Sequence, residues 1–312
     1  TCSRKQTLIL GFFMSVNDTS TYITLDGYVE LSKYRCLYFL LLFTAYVLIL
    51  CSNSTIVCLI VIHRSLHEPM YVFIAALLTN SLLFSSALYP KLLLDVLSET
   101  PVVSYPVCLF QWFMYYTLGG SEFLLLAAMA YDRYVSICRP LLYPSIMRKA
   151  NVCVCLLLAW LLPFVGLTVM ISNQKLSSFT LRLIICNDSI YKLLSVRFHS
   201  CCVCVCRVFT LLSNAVLTMI FIVFTYTRIL LICYSSSADV RRKAAHTCIP
   251  HLLVLSNFLF LGTFDVITAR LDADFLTAHL IMILDLFNPL FNPIIYGLKM
   301  TEIHKYIKKS IR

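Results

Sequence analysis

Residues 36–62 read CLYFLLLFTAYVLILCSNSTIVCLIVI, a run without a single charged side chain. A helix needs about 20 mostly apolar residues to cross the hydrocarbon core of a bilayer. A helix also satisfies its backbone hydrogen bonds within the segment, as a chain surrounded by lipid requires. The stretch therefore predicts a transmembrane helix.

Six further apolar segments of similar length follow the first one. Strands of a membrane barrel are about ten residues long and alternate in polarity, so these unbroken runs exclude a barrel. We predict an all-α membrane protein, a bundle of seven transmembrane helices between an outer tail (1–35) and a short basic tail (299–312). The spans are expected at about 36–62, 70–97, 102–137, 152–172, 208–233, 244–268 and 275–298.

The composition supports the same class of protein. Of the 312 residues, 60% are hydrophobic and 13% are charged, whereas a soluble chain carries about 25% charged residues. The net charge of +10 lies in short gaps between apolar runs, so no nucleic acid is expected as a partner. The fifteen cysteines lie mostly inside apolar runs, where cysteine behaves as a small hydrophobe, and no metal site is predicted. The patch 8–14 lacks the flanks of a cleavable leader.

The distribution of basic residues predicts the orientation in the membrane. Cytoplasmic loops carry an excess of Lys and Arg. If the N-terminus is outside, the inner segments are 63–69, 138–151, 234–243 and the C-terminal tail, and their acids are only Glu68, Asp239 and Glu302. We therefore expect the N-terminus outside and the C-terminus in the cytoplasm. The basic residues of these segments are Arg64, Arg139, Arg148, Lys149, Arg241, Arg242, Lys243, Lys299, Lys305, Lys308, Lys309 and Arg312.

Several motifs lie at the ends of the predicted helices. The third helix ends in MAYDRYVSICRPL (129–141), LHEPMY (66–71) precedes the second helix, and PK (90–91) closes it. TY (225–226) lies in the fifth helix, KA…TC..HL (243–252) opens the sixth, and FNPIIY (291–296) closes the seventh. In order and spacing they resemble the signature of the odorant (olfactory) receptor family of rhodopsin-like G-protein-coupled receptors, over about residues 38–309. Residues 249–258 are more similar to fish-type members.

The resemblance implies a multi-pass plasma-membrane receptor that binds a small odorant and activates a heterotrimeric G protein of the Gs/Golf type. It also implies an activation switch at the inner end of the bundle. Arg133 is a boundary charge, which is costly in a membrane and usually functional, and Asp132 can hold it in the resting state; a snorkelling anchor is the simpler alternative. The predicted switch residues are Asp132, Arg133, Tyr134, Tyr226, Asn292, Pro293 and Tyr296.

Two details of the predicted switch concern polar and proline residues in the spans. Pro293 removes a backbone hydrogen bond and predicts a helix break after Asn292, which would free Tyr296 to swing inward.

Glu122 is a carboxylate within the third span and needs a cation, a hydrogen-bond network or a proton. The resemblance implies a central polar network of Glu122 with Asn53, Asn80 and Asn292. Sodium near Glu122 is one alternative and a protonated carboxyl is the other, since Ser81 stands where rhodopsin-like receptors in general have an aspartate. No other cofactor is expected.

The outer side carries candidate modification sites. Asn17 and Asn187 begin N-x-S/T sequons and are predicted glycosylation sites. The family resemblance ties Cys108 to the second outer loop by a disulfide. Cys186 is the first cysteine of that loop, but Ser195-Val196 stands where a further cysteine is expected. The partner of Cys108 is therefore Cys186 or one of Cys201 and Cys202.

A ligand pocket is expected between the outer halves of the helices, because bundle pockets are mostly apolar with a few aimed polar groups. Gly119 and Gly120 would leave room for a ligand or a close helix contact. Asp285 is an intramembrane acid and suggests a preference for polar or charged odorants. The predicted lining residues are Tyr115, Tyr116, Gly119, Thr210, Leu211, Asn214, Asp265, Val266, Arg270, Met282 and Asp285.

Other functions are weaker interpretations of the same sequence. No nucleophile–base constellation is evident, so an enzyme is not expected. A rhodopsin-like receptor for amines would favour an acid at the Tyr115 level of the third helix, and none is present there. A small transporter or channel predicts repeated halves with broken helices, which are not visible. A non-signalling, divergent receptor remains an alternative because of the missing loop cysteine and the missing second-helix acid.

Overall fold

The fold is known from a computed structural model, which describes residues 22–25, 34–98, 102–171, 180–181, 201–234, 237–270 and 275–311. Within these ranges the chain forms seven long helices and a short C-terminal helix, with short helical turns in two of the connections. The main helices are α1 Arg35–Ile62, α2 Pro69–Leu97, α3 Tyr105–Cys138, α4 Lys149–Ile171, α5 Cys201–Tyr234, α6 Ala238–Arg270, α7 Phe275–Lys299 and α8 Thr301–Ile311. The short turns are Arg64–Leu66, Pro140–Leu142 and Tyr143–Ile146.

The bundle is arranged around α3. This helix contacts α2, α4, α5 and α6, while α1 packs on α2 and α7, and α7 packs on α6. Two apolar clusters fill the interior. One contains Leu42, Tyr89 and Trp112 and lies toward the end of the bundle that carries Cys108, called here the Cys108 end. The other contains Phe73 and Leu125 and lies toward the end that carries Arg133, called here the Arg133 end.

The outer surface of the helices is apolar, as a lipid-facing surface requires. Leu40 of α1, Leu157 of α4 and Leu230 of α5 are all more than half exposed. Among the described residues, five helices are long and apolar enough to cross a membrane by length and composition: all of α1, α2 and α3, Lys149–Val169 of α4 and Leu217–Tyr234 of α5. A shorter apolar stretch, Thr247–Leu261, lies within α6.

The helix boundaries differ from the sequence-based ones mainly at four N-terminal ends, among them that of the fourth helix, which begins at Lys149 and not at residue 152. The third helix was expected from residue 102 but begins at Tyr105, next to Pro106, a residue that favours the first turn of a helix. Residues Val102–Ser104 form a strand instead. The fifth and sixth helices begin earlier than expected, at Cys201 and Ala238.

A small sheet lies beside the Cys108 end and was not expected from the sequence. Its strands are β1 Tyr22–Leu25, β2 Val102–Ser104 and β3 Thr180–Leu181. The central strand β1 pairs antiparallel with β2 and parallel with β3. Lys91 of α2 donates to the Val102 carbonyl at 3.1 Å and so attaches β2 to the bundle.

The basic segment after residue 299 is helical. Thr301–Ile311 forms α8, an amphipathic helix that buries Ile303 and exposes Lys305, Lys308 and Lys309. The Tyr306 hydroxyl lies 2.7 Å from the Ser65 hydroxyl. This bond fixes α8 to the connection between α1 and α2.

Candidate functional site

Asp132 and Arg133 form an ion pair at the Arg133 end of the described bundle. Asp132 is fully buried, and its carboxylate accepts from Arg133 Nε at 3.0 Å and from a second guanidinium nitrogen. The Tyr143 hydroxyl donates to the other carboxylate oxygen at 2.9 Å. Burial, with the nearby Asp132 adding to it, raises the pKa of Tyr143, so this hydroxyl remains a donor. Tyr143 was not identified from the sequence because its loop position carries no motif.

Tyr134, the switch residue that follows Asp132 and Arg133, makes apolar contacts. Tyr134 is half-buried against the apolar cluster of the Arg133 end. Its ring centroid lies 6.5 Å from that of Tyr131, which in turn contacts Phe221 of α5. Tyr134 therefore joins the switch region through apolar contact with α3 and its neighbours.

The switch tyrosine predicted in α5 bonds α6 in this structure. Tyr226 is buried, and its hydroxyl is hydrogen-bonded to His251 Nδ1 of α6. Arg133 remains on Asp132 in this arrangement. His251 was quoted within the family motif without a role, and its position opposite Tyr226 is a tertiary feature that sequence spacing does not reveal.

The predicted helix break at Pro293 is wrong, because α7 runs unbroken through Pro289 and Pro293. Each proline removes one backbone N–H donor from the helix. Polar side chains of other helices donate hydrogen bonds to backbone carbonyls near the two prolines. Asn53 Nδ2 of α1 donates at 3.1 Å to the carbonyl of Pro289. This carbonyl would accept from the backbone N–H of residue 293, which proline lacks. Tyr89 of α2 donates at 2.9 Å to the Leu286 carbonyl, three residues before Pro289. These interhelical bonds allow the helix to continue.

Tyr296 already points into the bundle. It is fully buried, and its hydroxyl lies 4.0 Å from Met129 Sδ of α3. No inward swing is needed for this tyrosine to contact α3.

The central polar network is centred on Asn292. Its Nδ2 donates to Glu122 Oε1 at 3.1 Å and to Ser81 Oγ at 3.2 Å. Asn288 also hydrogen-bonds the Glu122 side chain and accepts from Asn257 Nδ2 of α6 at 2.6 Å. Helices α2, α3, α6 and α7 are therefore joined through polar side chains in the bundle interior.

Two of the residues predicted for this network lie elsewhere. Asn80 donates to the Leu118 carbonyl at 2.9 Å and accepts from Trp160 Nε1 at 3.2 Å, so it joins α2 to α3 and α4 rather than to Glu122. Asn53 bonds the α7 backbone, as described above. Ser81 takes the place that the prediction gave to Asn80.

Sodium near Glu122 stays a prediction. Asn292 Nδ2 donates to both Glu122 Oε1 and Ser81 Oγ, so these two oxygens contact an amide nitrogen in this arrangement. Asn292 Oδ1 is buried without a hydrogen-bond partner, and it is the kind of oxygen ligand that hard cations prefer.

In the Cys108 half, the structure brings together two of the residues predicted to line a pocket. The Tyr115 hydroxyl of α3 donates to the Asp285 carboxylate of α7. Tyr116 packs on Tyr115 and on Trp112, with ring centroids 4.9 Å and 5.4 Å apart.

The two adjacent glycines of α3 have different surroundings. A Cβ at Gly119 would meet nothing within 4 Å, whereas at Gly120 it would lie 3.0 Å from Pro163 Cβ of α4. Gly119 therefore faces open space, and Gly120 allows a close helix contact.

Other predicted site residues lie outside the part whose side chains the structure describes. Cys108 is disulfide-bonded, and its partner also lies outside that part, so the pairing stays a prediction. The remaining residues concerned are Thr210, Leu211, Asn214, Asp265, Val266, Arg270 and Met282 of the pocket, Cys186, Cys201 and Cys202 of the disulfide, and the sequon residues Asn17 and Asn187.

A helix bundle with a buried acid–arginine pair at one end and a central polar network defines a rhodopsin-like receptor fold. Squid rhodopsin has the same fold, with a TM-score of 0.70 at 16% identity over 89% of this chain and 86% of that one. The family model described as "Olfactory receptor" matches residues 42–312. The human "Olfactory receptor 11A1" is 34% identical over 306 residues, 95% of each chain. The mouse "Olfactory receptor 4B13" is 31% identical over 314 residues, 95% of this chain and 98% of its own.

The chain therefore belongs to the olfactory receptor family of G-protein-coupled receptors. It is a multi-pass protein of the plasma membrane and a signalling receptor rather than an enzyme.

Proposed function

We propose that the chain binds a small external odorant in the Cys108 half of the bundle and activates a Gs/Golf-type G protein from the Arg133 end. The observation that carries the proposal is the buried Asp132–Arg133 pair. Burying an ion pair at a helix end costs free energy, which favours a switch over an anchor. Such a pair has two discrete arrangements: Arg133 held by Asp132, or Arg133 released toward a partner.

Contacts between α5 and α6 support the same two-state reading. In the described arrangement Tyr226 is bonded to His251. Movement of α6 away from both α3 and α5 would break this bond, release Tyr226 toward Arg133 and open a groove. A groove at this end would take an amphipathic helix of the G protein, a common mode of peptide recognition.

The ligand acts by differential affinity for the two arrangements. A ligand shifts such an equilibrium only if it binds one state more tightly. The polar network lies between the two ends of the bundle, where Asn292 and Asn288 of α7 hydrogen-bond Glu122 of α3. Sodium held by Glu122, Ser81 and Asn292 would stabilise the resting arrangement of these helices.

The proposal includes an orientation, with the Arg133 end in the cytoplasm. The connection after α3 carries Arg139, Arg148 and Lys149, which agrees with the excess of basic residues in cytoplasmic loops. A cysteine introduced at the exposed Ser145, in a background of blocked native thiols, tests the side. Labelling by an impermeant reagent only after permeabilisation agrees with the orientation, and labelling of intact cells contradicts it.

A cAMP reporter assay tests the proposed function. The chain is expressed in cells that contain a Gs/Golf-type subunit and exposed to a broad odorant panel, with surface expression measured in parallel. We expect a saturable response to some odorants, and its loss in Arg133→Ala at equal surface expression. A response that persists in Arg133→Ala contradicts the proposed switch. The absence of any response at normal surface expression favours the alternative of a non-signalling receptor.

A further inference from the structure

Asp285 is an acid of the Cys108 half for which the described residues supply one hydrogen bond and no ion pair. It is partly buried, and among the described residues its carboxylate accepts a hydrogen bond from the Tyr115 hydroxyl. The two ion pairs among described side chains are Lys91–Asp95 and Asp132–Arg133, so none of the described cations neutralises Asp285. A carboxylate inside a membrane protein requires a cation, a proton or several donors.

Open space lies one helical turn along α3 from Tyr115, the residue that bonds this acid. Residues four positions apart on a helix share a face, which places Tyr115, Gly119 and Phe123 on one stripe. Tyr115 bonds α7, and the Phe123 ring lies 5.8 Å from that of Phe258 in α6. The middle of the stripe is Gly119, where a Cβ would meet nothing within 4 Å.

The side chains around Tyr115, the residue that bonds Asp285, are aromatic. The Tyr115 ring contacts Phe84 at 5.5 Å and Tyr116 at 4.9 Å between centroids. Aromatic faces attract organic cations, more strongly where water is excluded. The half-buried acid, the open space and the aromatic rings together match the chemistry of a protonated amine with an apolar body.

We propose that Asp285 binds the ammonium group of a small organic amine, with Tyr115 holding the carboxylate and the apolar part of the amine lying over Gly119. This inference rests on the proposed function and names the ligand class of the same site. The sequence alone argued against amines, since α3 has no acid at the Tyr115 level. The structure supplies an acid at that level from α7.

The test uses matched ligands on the full-length receptor in cells. Aliphatic and aromatic primary amines are each compared with the alcohol of the same carbon skeleton. We expect the amines to be more potent than the alcohols in the wild type. Loss of one member of a buried charge pair costs 2–5 kcal/mol, so Asp285→Asn should raise the half-maximal concentration of amines by about 30-fold or more. The same substitution should change the alcohol values by less than about threefold, because no charge pair is lost.

Two further variants serve as controls. One tests whether the charge at position 285 is what matters, and the other tests whether removing a different acid of the same half has the same effect. Asp285→Glu retains the charge and should retain the preference for amines. Asp95→Asn removes an acid near the same end that is already paired with Lys91, and the amine-to-alcohol ratio should stay at the wild-type value. If Asp285→Asn fails to reach the surface, the wild-type and Asp285→Glu amine-to-alcohol ratios still test the inference.

The outcomes distinguish this inference from the proposed function. Equal potency of amines and alcohols in the wild type, or an equal loss of both in Asp285→Asn, overturns the amine inference while the receptor function stands. Thermal stabilisation of the purified receptor is measured with the same two series. If neither series stabilises it and no odorant gives a cellular response, both proposals fall.

Discussion

Neutralising Asp132 should raise the activity of the receptor without ligand. Asp132 is 0% exposed and accepts from Arg133 and Tyr143, and the Arg133 side chain is 11% exposed. The pair is therefore largely shielded from water, and its hydrogen bonds retain their strength. Asp132→Asn preserves the size of the side chain and removes the charge that holds Arg133.

The magnitude follows from the two kinds of hydrogen bond. A bond to a charged group contributes about 1.5–3 kcal/mol and a neutral one about 0.5–1.5 kcal/mol, so the substitution removes about 1–2 kcal/mol from the resting state. Each 1.4 kcal/mol changes an equilibrium tenfold. A receptor that is about 1% active at rest would become about 5–25% active.

The assay is basal cAMP accumulation, normalised to surface expression. Glu302→Gln is the matched control, since it removes an exposed acid of α8 at the same end of the bundle and should leave the basal signal at the wild-type level. An Asp132→Asn basal signal equal to or below that of the wild type, at normal surface expression, refutes the argument that this acid restrains Arg133.

Further predictions concern packing and stability, each measured by thermal unfolding of the purified receptor or by surface expression. Gly120→Ala should destabilise the bundle by about 1–3 kcal/mol, because its Cβ would lie 3.0 Å from Pro163. The matched variant Gly119→Ala should leave the melting temperature unchanged. Equal losses of stability would contradict the assignment of Gly120 to a helix contact and of Gly119 to open space. Asn53→Ala should cost about 1–3 kcal/mol through the unpaired Pro289 carbonyl, whereas Ser52→Ala loses only a bond within α1 and should cost less than half as much. Cys108→Ser should reduce surface expression, because a disulfide typically contributes about 2–4 kcal/mol, and normal expression would count against a structural disulfide.

The positions of the spanning helices follow from the sequence because lipid imposes a simple requirement. A segment of about 20 apolar residues has few alternatives to a helix in a bilayer, and α1, at Arg35–Ile62, differs from its predicted range by one residue. The helix ends outside lipid are less constrained. Residues 102–104 are apolar enough to extend α3, but their backbone pairs with β1 instead. This pairing depends on a distant segment and leaves no local pattern.

The contacts of the switch are predictable only where the partners are neighbours in sequence. Asp132 and Arg133 are adjacent in the sequence, so their pairing is expected from the sequence itself. Tyr143 and His251 reach the same region from other elements, and only the folded chain brings them there.

The misplacement of Asn80 has a geometrical cause. Successive residues of an α-helix point about 100° apart, since there are 3.6 residues per turn. Asn80 therefore faces α4 and bonds Trp160, while Ser81 faces Asn292. A prediction that is correct to within one residue still selects the wrong face of the helix.

The wrong prediction at Pro293 shows the limit of a local rule. Proline removes a donor from its own helix, and this loss is visible in the sequence. The donors that occupy nearby carbonyls, Asn53 and Tyr89, come from α1 and α2. Only the tertiary structure shows that α7 continues past the proline.

The central claim is that ligand binding near the Cys108 end releases Arg133 to act on a G protein. The most direct measurement is guanine-nucleotide exchange on a purified Gs heterotrimer by the receptor in lipid nanodiscs, with the most potent odorant of the cellular panel. We predict that the odorant accelerates exchange by the wild type, and that Arg133→Ala still binds the odorant but leaves exchange at the receptor-free rate. Exchange that is insensitive to a bound odorant, or equal in the wild type and Arg133→Ala, would contradict the claim.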